Sequence, residues 1–195
     1  MLSLQKILVL HVLACLGRLT HVIAIIHGEK APENSMQYMA SVQNNNGQHV
    51  CGGFLITEEF VVSAANCDDS SLTHVVLGNH NLKNGNHQKI RIENKIIHEN
   101  YQHVGLGNDI MLIKLSKKAH LRHGVQPIKF QPAEINLKEN QVCQVAGWGK
   151  TETDDDDKPA DELMVVAVDV SVSGVTSKWP PWSPPILRSL PPHIY

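Results

Sequence analysis

Two residues of this 195-residue chain stand where acid–base chemistry could be built: Asn66 in Val61-Val62-Ser63-Ala64-Ala65-Asn66-Cys67, and Asp109 at the head of Asp109-Ile110-Met111-Leu112-Ile113-Lys114-Leu115. A carboxylate such as Asp109 can orient a neighbouring base and stabilise its protonated form. The carboxamide of Asn66 has no accessible basic nitrogen, so it cannot take a proton from a nucleophilic hydroxyl and return it near neutral pH. By its own neighbours, an Asp that opens an apolar strand is a turn or capping residue, because such side chains bond local amides.

Cysteine and histidine are the other reactive types. Met1 to about Gly17 carries Lys6 and then the run Ile7-Leu8-Val9-Leu10-His11-Val12-Leu13-Ala14-Cys15-Leu16, with the small Ala24 at a usable distance. This is the pattern of a secretory signal peptide cleaved near Ala24; a buried core helix is the other reading. No later stretch is long and apolar enough to span a bilayer, so no membrane partner is expected after cleavage. Removal of the leader takes Cys15 and leaves Cys51, Cys67 and Cys143, an odd count with one unpartnered thiol. Cys51 and Cys67 flank an apolar turn-and-strand stretch and could close a loop worth about 3 kcal/mol. Cys143 is then unpaired, which suggests sequence missing downstream. His98 with His103, and His120 with His123, have no third ligand and no helical context, and chance proximity among twelve His accounts for them. No metal is expected, and no glycine loop that would cradle a phosphate cofactor occurs.

The elements that must position these residues read as strands. Hydrophobic content of 42% suffices for a globular core, and a net charge of -2 gives no reason to expect a nucleic-acid partner. Strands are expected over Gln37–Gln43, Val50–Ile56, Phe60–Ser63, Thr73–Leu77, Ile90–Ile97 and Ile110–Leu115, separated by polar turns such as Asn44-Asn45-Asn46-Gly47. The glycines of Cys51-Gly52-Gly53 suit close backbone approach in a curved sheet. Short strands at this spacing indicate an all-β barrel or sandwich. Further strands are expected at Gln141–Gly149 and Glu162–Val172, the latter with Val166, Val168, Val170 and Val172 on one buried face. Asp154-Asp155-Asp156-Asp157-Lys158 resembles an enteropeptidase recognition sequence, but it reads as a solvated loop.

Four segments in order resemble the chymotrypsin-like serine proteases. Cys51-Gly52-Gly53-Phe54-Leu55-Ile56 matches C-G-G-x-L-I, and Val62-Ser63-Ala64-Ala65-Asn66-Cys67 is V-S-A-A-H-C with Asn66 at the His. Asp109 to Leu115 matches D-I-x-L-[IL]-[KR]-L, and Cys143 to Gly149 matches C-x-[VA]-[AST]-G-W-G. Ile25-Ile26-His27-Gly28, Tyr38-Met39-Ala40-Ser41-Val42-Gln43 and Val104-Gly105-Leu106-Gly107-Asn108-Asp109 look most like granzymes and mast-cell proteases.

The resemblance implies an all-β, chymotrypsin-like double β-barrel, with residues 25–125 as a largely complete first barrel and 126–172 as about two strands of a second. Residues 1–24 would be the leader and 173–195 a disordered Pro-rich tail. Asp109 takes the place of the triad carboxylate, Asn66 that of the general base, whose NH2 could then donate to Asp109 in a structural contact, and Ile25 that of the freed amino terminus that switches on such enzymes. Substrates would be proteins or peptides, and the setting secretory or granular. The nucleophile motif G-D-S-G-G-P does not occur; Ser173-Gly174 is its nearest fragment. With Asn66 this implies a chain without peptidase activity, whose partial second barrel exposes an edge and an apolar face. The alternatives are a binding protein that engages a protease or inhibitor through the first barrel, and an intact serine endopeptidase whose true transcript carries His at codon 66 or a continued reading frame with G-D-S-G-G.

Overall fold

The computed structural model describes residues 25, 28–85, 87–122, 124–129, 142–149 and 160–169. The expected leader, the acidic run at 154–158 and the Pro-rich stretch at 173–195 lie outside the described residues, as does His123.

Nine strands are described. In chain order they are β1 (Glu29–Lys30), β2 (Met39–Asn44), β3 (His49–Thr57), β4 (Phe60–Ser63) and β5 (Leu72–Leu77). β6 (Gln88–Ile97), β7 (Met111–Leu115), β8 (Val142–Gly147) and β9 (Met164–Asp169) follow. The only helical pieces among the described residues are single 3-10 turns at Ala65–Cys67 and Val104–Leu106. The fold is therefore all-β, as the alternating strands and polar turns predict.

Strands β2 to β7 close into one barrel in the order β2-β3-β4-β7-β6-β5, each neighbour antiparallel. Closure follows from the side-chain alternation. Met111, Ile113 and Leu115 of β7 point inward with Ala40, Val42, Leu55, Val61, Val75, Leu77 and Ile90 to form the interior. Leu112, on the other face of β7, packs outside with Val62, Ile56 and Ile110. β4 and β7 thus bury residues on both faces, which explains the consecutive apolar residues Phe60-Val61-Val62 and Met111-Leu112-Ile113.

Of the two adjacent glycines in β3, only Gly53 meets the sheet closely. A Cβ there would lie 2.7 Å from the Val62 carbonyl oxygen and 3.0 Å from Val61 Cγ1, whereas one at Gly52 meets nothing within 4 Å. The curved-sheet expectation holds at Gly53 and not at Gly52.

The second sheet runs β1-β9-β8. It contains β8 and β9 as expected, and also β1, the short N-terminal strand in which Glu29 pairs with Val165 and Lys30 with Met164. Its inward face differs from the expected one. Leu163 and Val165 are buried against Trp148 and Ala31, while Val168 is 38% exposed. The β8–β9 register places Cys143 opposite Val168 and Val145 opposite Val166, so these four share the outer face. The sheet buries the parity that meets Trp148, and alternation alone cannot tell which face that is.

The loop after β5 docks this sheet onto the barrel. The His80 carbonyl accepts from Trp148 Nε1–H at 2.7 Å and from the Leu163 N–H at 2.9 Å. Leu82 N–H donates to the Asp161 carbonyl at 2.8 Å, and the Asn81 amide donates to Glu162 Oε1 at 2.8 Å. Trp148, 2% exposed, is the side chain around which the junction forms. Among the described residues, no helix is long and apolar enough to cross a membrane.

Candidate functional site

Asn66 sits in the middle of the 3-10 turn Ala65–Cys67, directly after β4. The turn is closed by Cys67 N–H to the Ala64 carbonyl at 3.2 Å and Asp68 N–H to the Ala65 carbonyl at 2.9 Å. Buried Ala65 and Cys67 face the core, and this leaves the Asn66 side chain toward solvent. A disulfide from Cys67 to Cys51 ties the turn to β3. Just before it, the Ser63 hydroxyl donates to the Gly52 carbonyl at 2.8 Å, a second link to the same strand.

Asp109 arrives from the opposite side, two residues before β7. Asn108 adopts a left-handed conformation at φ 58°, which Asn tolerates better than most residues, and this turn aims the next side chain back at the 3-10 turn. Asp109 Oδ1 accepts the backbone N–H of Asn66 at 2.7 Å. The two residues are thus brought together across 43 positions of sequence. The donor is the main-chain amide and not the side-chain NH2, which corrects the expectation; the helical turn points that N–H outward.

One further side chain, Tyr101, feels the Asp109 charge, and His98 lies in the same connection between β6 and β7. Tyr101 is partly buried against the barrel core, and burial, together with the Asp109 charge, raises its phenol pKa above the usual value. The Tyr101 N–H donates to the His98 carbonyl at 2.9 Å, and His98 N–H donates to the Ile110 carbonyl at 3.0 Å. His98 is 9% exposed, and burial lowers its pKa while Glu99 acts against the shift. Its Nδ1 accepts the Asn100 N–H at 3.2 Å. Tyr101 stands eight residues before Asp109 in sequence, and only the turn His98-Glu99-Asn100-Tyr101 before a strand-opening Asp hints at their approach.

The remaining candidates are separate. Ile25 is 2% exposed, its carbonyl accepts from Gly28 N–H at 3.3 Å, and its Cδ1 lies 3.5 Å from a Cβ built on Gly147. It therefore packs against the second sheet. Cys143 of β8 is a free, half-exposed thiol. His103 Nδ1 accepts the Gly105 N–H at 3.2 Å, capping the turn Val104–Leu106, so that ring nitrogen serves the backbone.

Chemically, the cluster offers a carboxylate fixed by a backbone amide, a neutral phenol and an exposed carboxamide. Asp109 can accept hydrogen bonds and hold negative charge. Asn66 can donate and accept hydrogen bonds but cannot carry a proton between reacting groups.

This arrangement, a closed six-stranded barrel with a carboxylate beneath a disulfide-anchored turn, can be compared with known proteins. The family model described as Trypsin matches residues 25–182. The chain belongs to the trypsin family. Among its trypsin-family relatives, granzyme B(G,H) of Mus musculus is 39% identical over 150 residues, 75% of this chain and 60% of that protein. Duodenase-1 of Bos taurus is 40% identical over 130 residues, covering 65% of this chain and 51% of its own length. Mast cell protease 8 of Mus musculus is 42% identical over 129 residues, with 65% and 52% covered. This trypsin-family chain thus spans 51% to 60% of the length of these curated relatives. A solved structure of neuropsin, a serine protease expressed in the limbic system of mouse brain, superposes with a TM-score of 0.64 at 29% identity, covering 74% of this chain and 64% of that one.

Proposed function

We propose that this chain is a granzyme-like homologue of the serine endopeptidases that does not itself hydrolyse peptide bonds. The observation that carries the reading is Asn66. Asp109 occupies the place of the carboxylate that orients a general base, and the residue it holds has a carboxamide where an imidazole is needed. Removing one member of such a triad leaves only about 10³ to 10⁴ of rate enhancement over water, even where every other contribution survives. In the same reading, residues 25–125 and 126–172 are the first and second barrel units, Ile25 takes the place of the activation terminus, and proteins or peptides are the class of molecule the site once bound. The apolar leader ending near Ala24, with relatives named for mast cells, supports a secreted or granule-stored protein.

The test is a fluorogenic peptide assay on the secreted, purified chain across many sequences. No hydrolysis above background is expected; turnover that survives repurification and disappears in Asn66→Ala would overturn the reading.

A second reading is favoured by one observation: the barrel is closed, has its own continuous core and carries the Cys51–Cys67 disulfide. Such a module can present a surface without catalysis, and a protease or protease inhibitor is the partner of matching shape class. Sedimentation of the purified chain with candidate proteases and inhibitors tests it. A soluble monomer that shifts with none of them counts against it. The remaining alternative, an intact endopeptidase, requires His at codon 66 and a reading frame that continues past codon 173 into the G-D-S-G-G motif, and full-length transcript sequencing decides it.

A further inference from the structure

Two Asn-Gly pairs stand in exposed turns of this chain, Asn46-Gly47 and Asn84-Gly85, and the fold holds them differently. The Gly47 N–H donates to the Asn44 carbonyl at 3.0 Å, and Asn44 Oδ1 accepts the N–H groups of Asn46 and Gln48, each at 3.0 Å. The Gly85 N–H has no acceptor among the described residues. A Cβ built on Gly85 would meet nothing within 4 Å.

The Asn84 carbonyl, whose carbon carries the Gly85 nitrogen, accepts from two side chains. Asn79 Nδ2 donates to it at 3.1 Å, and the Asn79 amide is oriented by its Oδ1, which accepts the Asn81 N–H at 2.9 Å. His87 Nδ1 lies 2.7 Å from the same carbonyl oxygen. That oxygen can only accept, so the ring carries its proton on Nδ1 and donates. When the Gly85 N–H ionises, the charge of the amide anion is shared with the Asn84 carbonyl oxygen. Donors aimed at an oxygen on which charge develops favour the ionised form and speed its reaction. The nucleophile so activated is the Gly85 nitrogen, and a glycine there leaves no side chain to hinder its approach to the Asn84 amide.

We propose that Asn84-Gly85 is a self-modification site, at which the Gly85 nitrogen displaces the side-chain amide of Asn84. The Gly85 nitrogen bonds to Asn84 Cγ, the Cγ–Nδ2 bond breaks, and that nitrogen leaves as ammonia with the proton lost from Gly85. Solvent water then adds to either carbonyl of the succinimide and opens it, leaving an aspartyl or isoaspartyl residue at position 84. The product adds a carboxylate to the loop that docks the second sheet and, in its isoaspartyl form, a main-chain methylene. This loop carries the Lys83–Asp161 ion pair and the His80 carbonyl that accepts from Trp148 and Leu163.

The experiment follows both Asn-Gly pairs in one sample. The full chain is held at neutral pH and physiological temperature, and digested aliquots are read by mass spectrometry for aspartyl and isoaspartyl products at positions 46 and 84. Position 84 is expected to react at least about threefold faster than position 46, the rate equivalent of one hydrogen bond. In the urea-unfolded chain the two rates should converge. His87→Ala should slow position 84 by about three- to tenfold and leave position 46 unchanged. His87→Asn, which returns an amide donor near the place of Nδ1, should recover part of that loss. Gly85→Ala, for which the fold has room, should suppress the reaction. Equal rates at the two positions of the folded chain overturn the proposal. So does a rate at position 84 that His87→Ala leaves unchanged or raises, that His87→Asn does not recover, or that Gly85→Ala leaves intact. Should the His87 variants fail to fold, the native chain decides: a ratio of the two rates that falls toward one in urea supports the site, and a ratio that urea leaves unchanged overturns it.

Discussion

The Asp109 carboxylate holds Asn66 by its main chain: Oδ1 accepts the Asn66 backbone N–H at 2.7 Å, while the Asn66 side chain faces solvent. The contact would exist whatever side chain stood at position 66. It fixes the turn between β4 and the disulfide, and it separates the structural role of Asp109 from any chemistry.

Asp109→Ala is therefore expected to destabilise the chain by about 1 kcal/mol, the usual net worth of an exposed hydrogen bond. Asn66→Ala should cost less than about 0.5 kcal/mol. Urea unfolding of the two variants checks the asymmetry; equal losses would mean that the side-chain amide carries the contact after all.

Gly53 and Gly52 give a matched pair. A Cβ at Gly53 would press on the Val62 carbonyl oxygen at 2.7 Å, an atom of a paired strand that cannot move cheaply, while Gly52 faces open space. Gly53→Ala should lose about 2 to 3 kcal/mol and Gly52→Ala close to nothing. Thermal unfolding of both variants, read as the difference between their midpoints, is the check.

The Cys51–Cys67 bond closes a loop of sequence separation 16 around β3 and β4. Replacing both cysteines by Ala should remove about 3 kcal/mol under oxidising conditions. Guanidinium unfolding measures this, and the native chain with its disulfide reduced should fall to the level of the double variant.

Trp148 Nε1–H is the one donor that its buried ring can offer, and it reaches the His80 carbonyl at 2.7 Å. Trp148→Phe keeps most of the apolar packing and loses that bond, so β8 and β9 amides should lose protection by roughly five- to tenfold. Hydrogen exchange should find the amides of β6 and β7 unaffected.

Much of the barrel was legible because short runs rich in β-branched and apolar residues are separated by polar turns. Phe60–Ser63 matches end to end, and Thr73–Leu77 gains only Leu72. β1 was not legible: Glu29 and Lys30 are two exposed charged residues that become a strand only because Val165 and Met164 lie opposite. Alternation in β9 predicts that one parity is buried but not which, and Trp148 selects Val165 over Val168. At the site, the pairing of Asn66 with Asp109 was legible only through the motifs that resemble the chymotrypsin-like serine proteases, since by its own neighbours Asp109 reads as a turn residue. Its donor was not, because a backbone N–H is aimed by the local turn and carries no letter in the sequence. The approach of Tyr101 to Asp109 is made inside the connection between β6 and β7, by a turn whose residue types do not reveal it.

The central claim is that position 66 cannot serve as a base. Its most direct measurement is peptide hydrolysis by the secreted chain and by Asn66→Ala, assayed side by side to the limit of the uncatalysed background. The account predicts the same null rate for both, since the carboxamide contributes nothing that Ala lacks. Hydrolysis by the native chain that Asn66→Ala abolishes would contradict it.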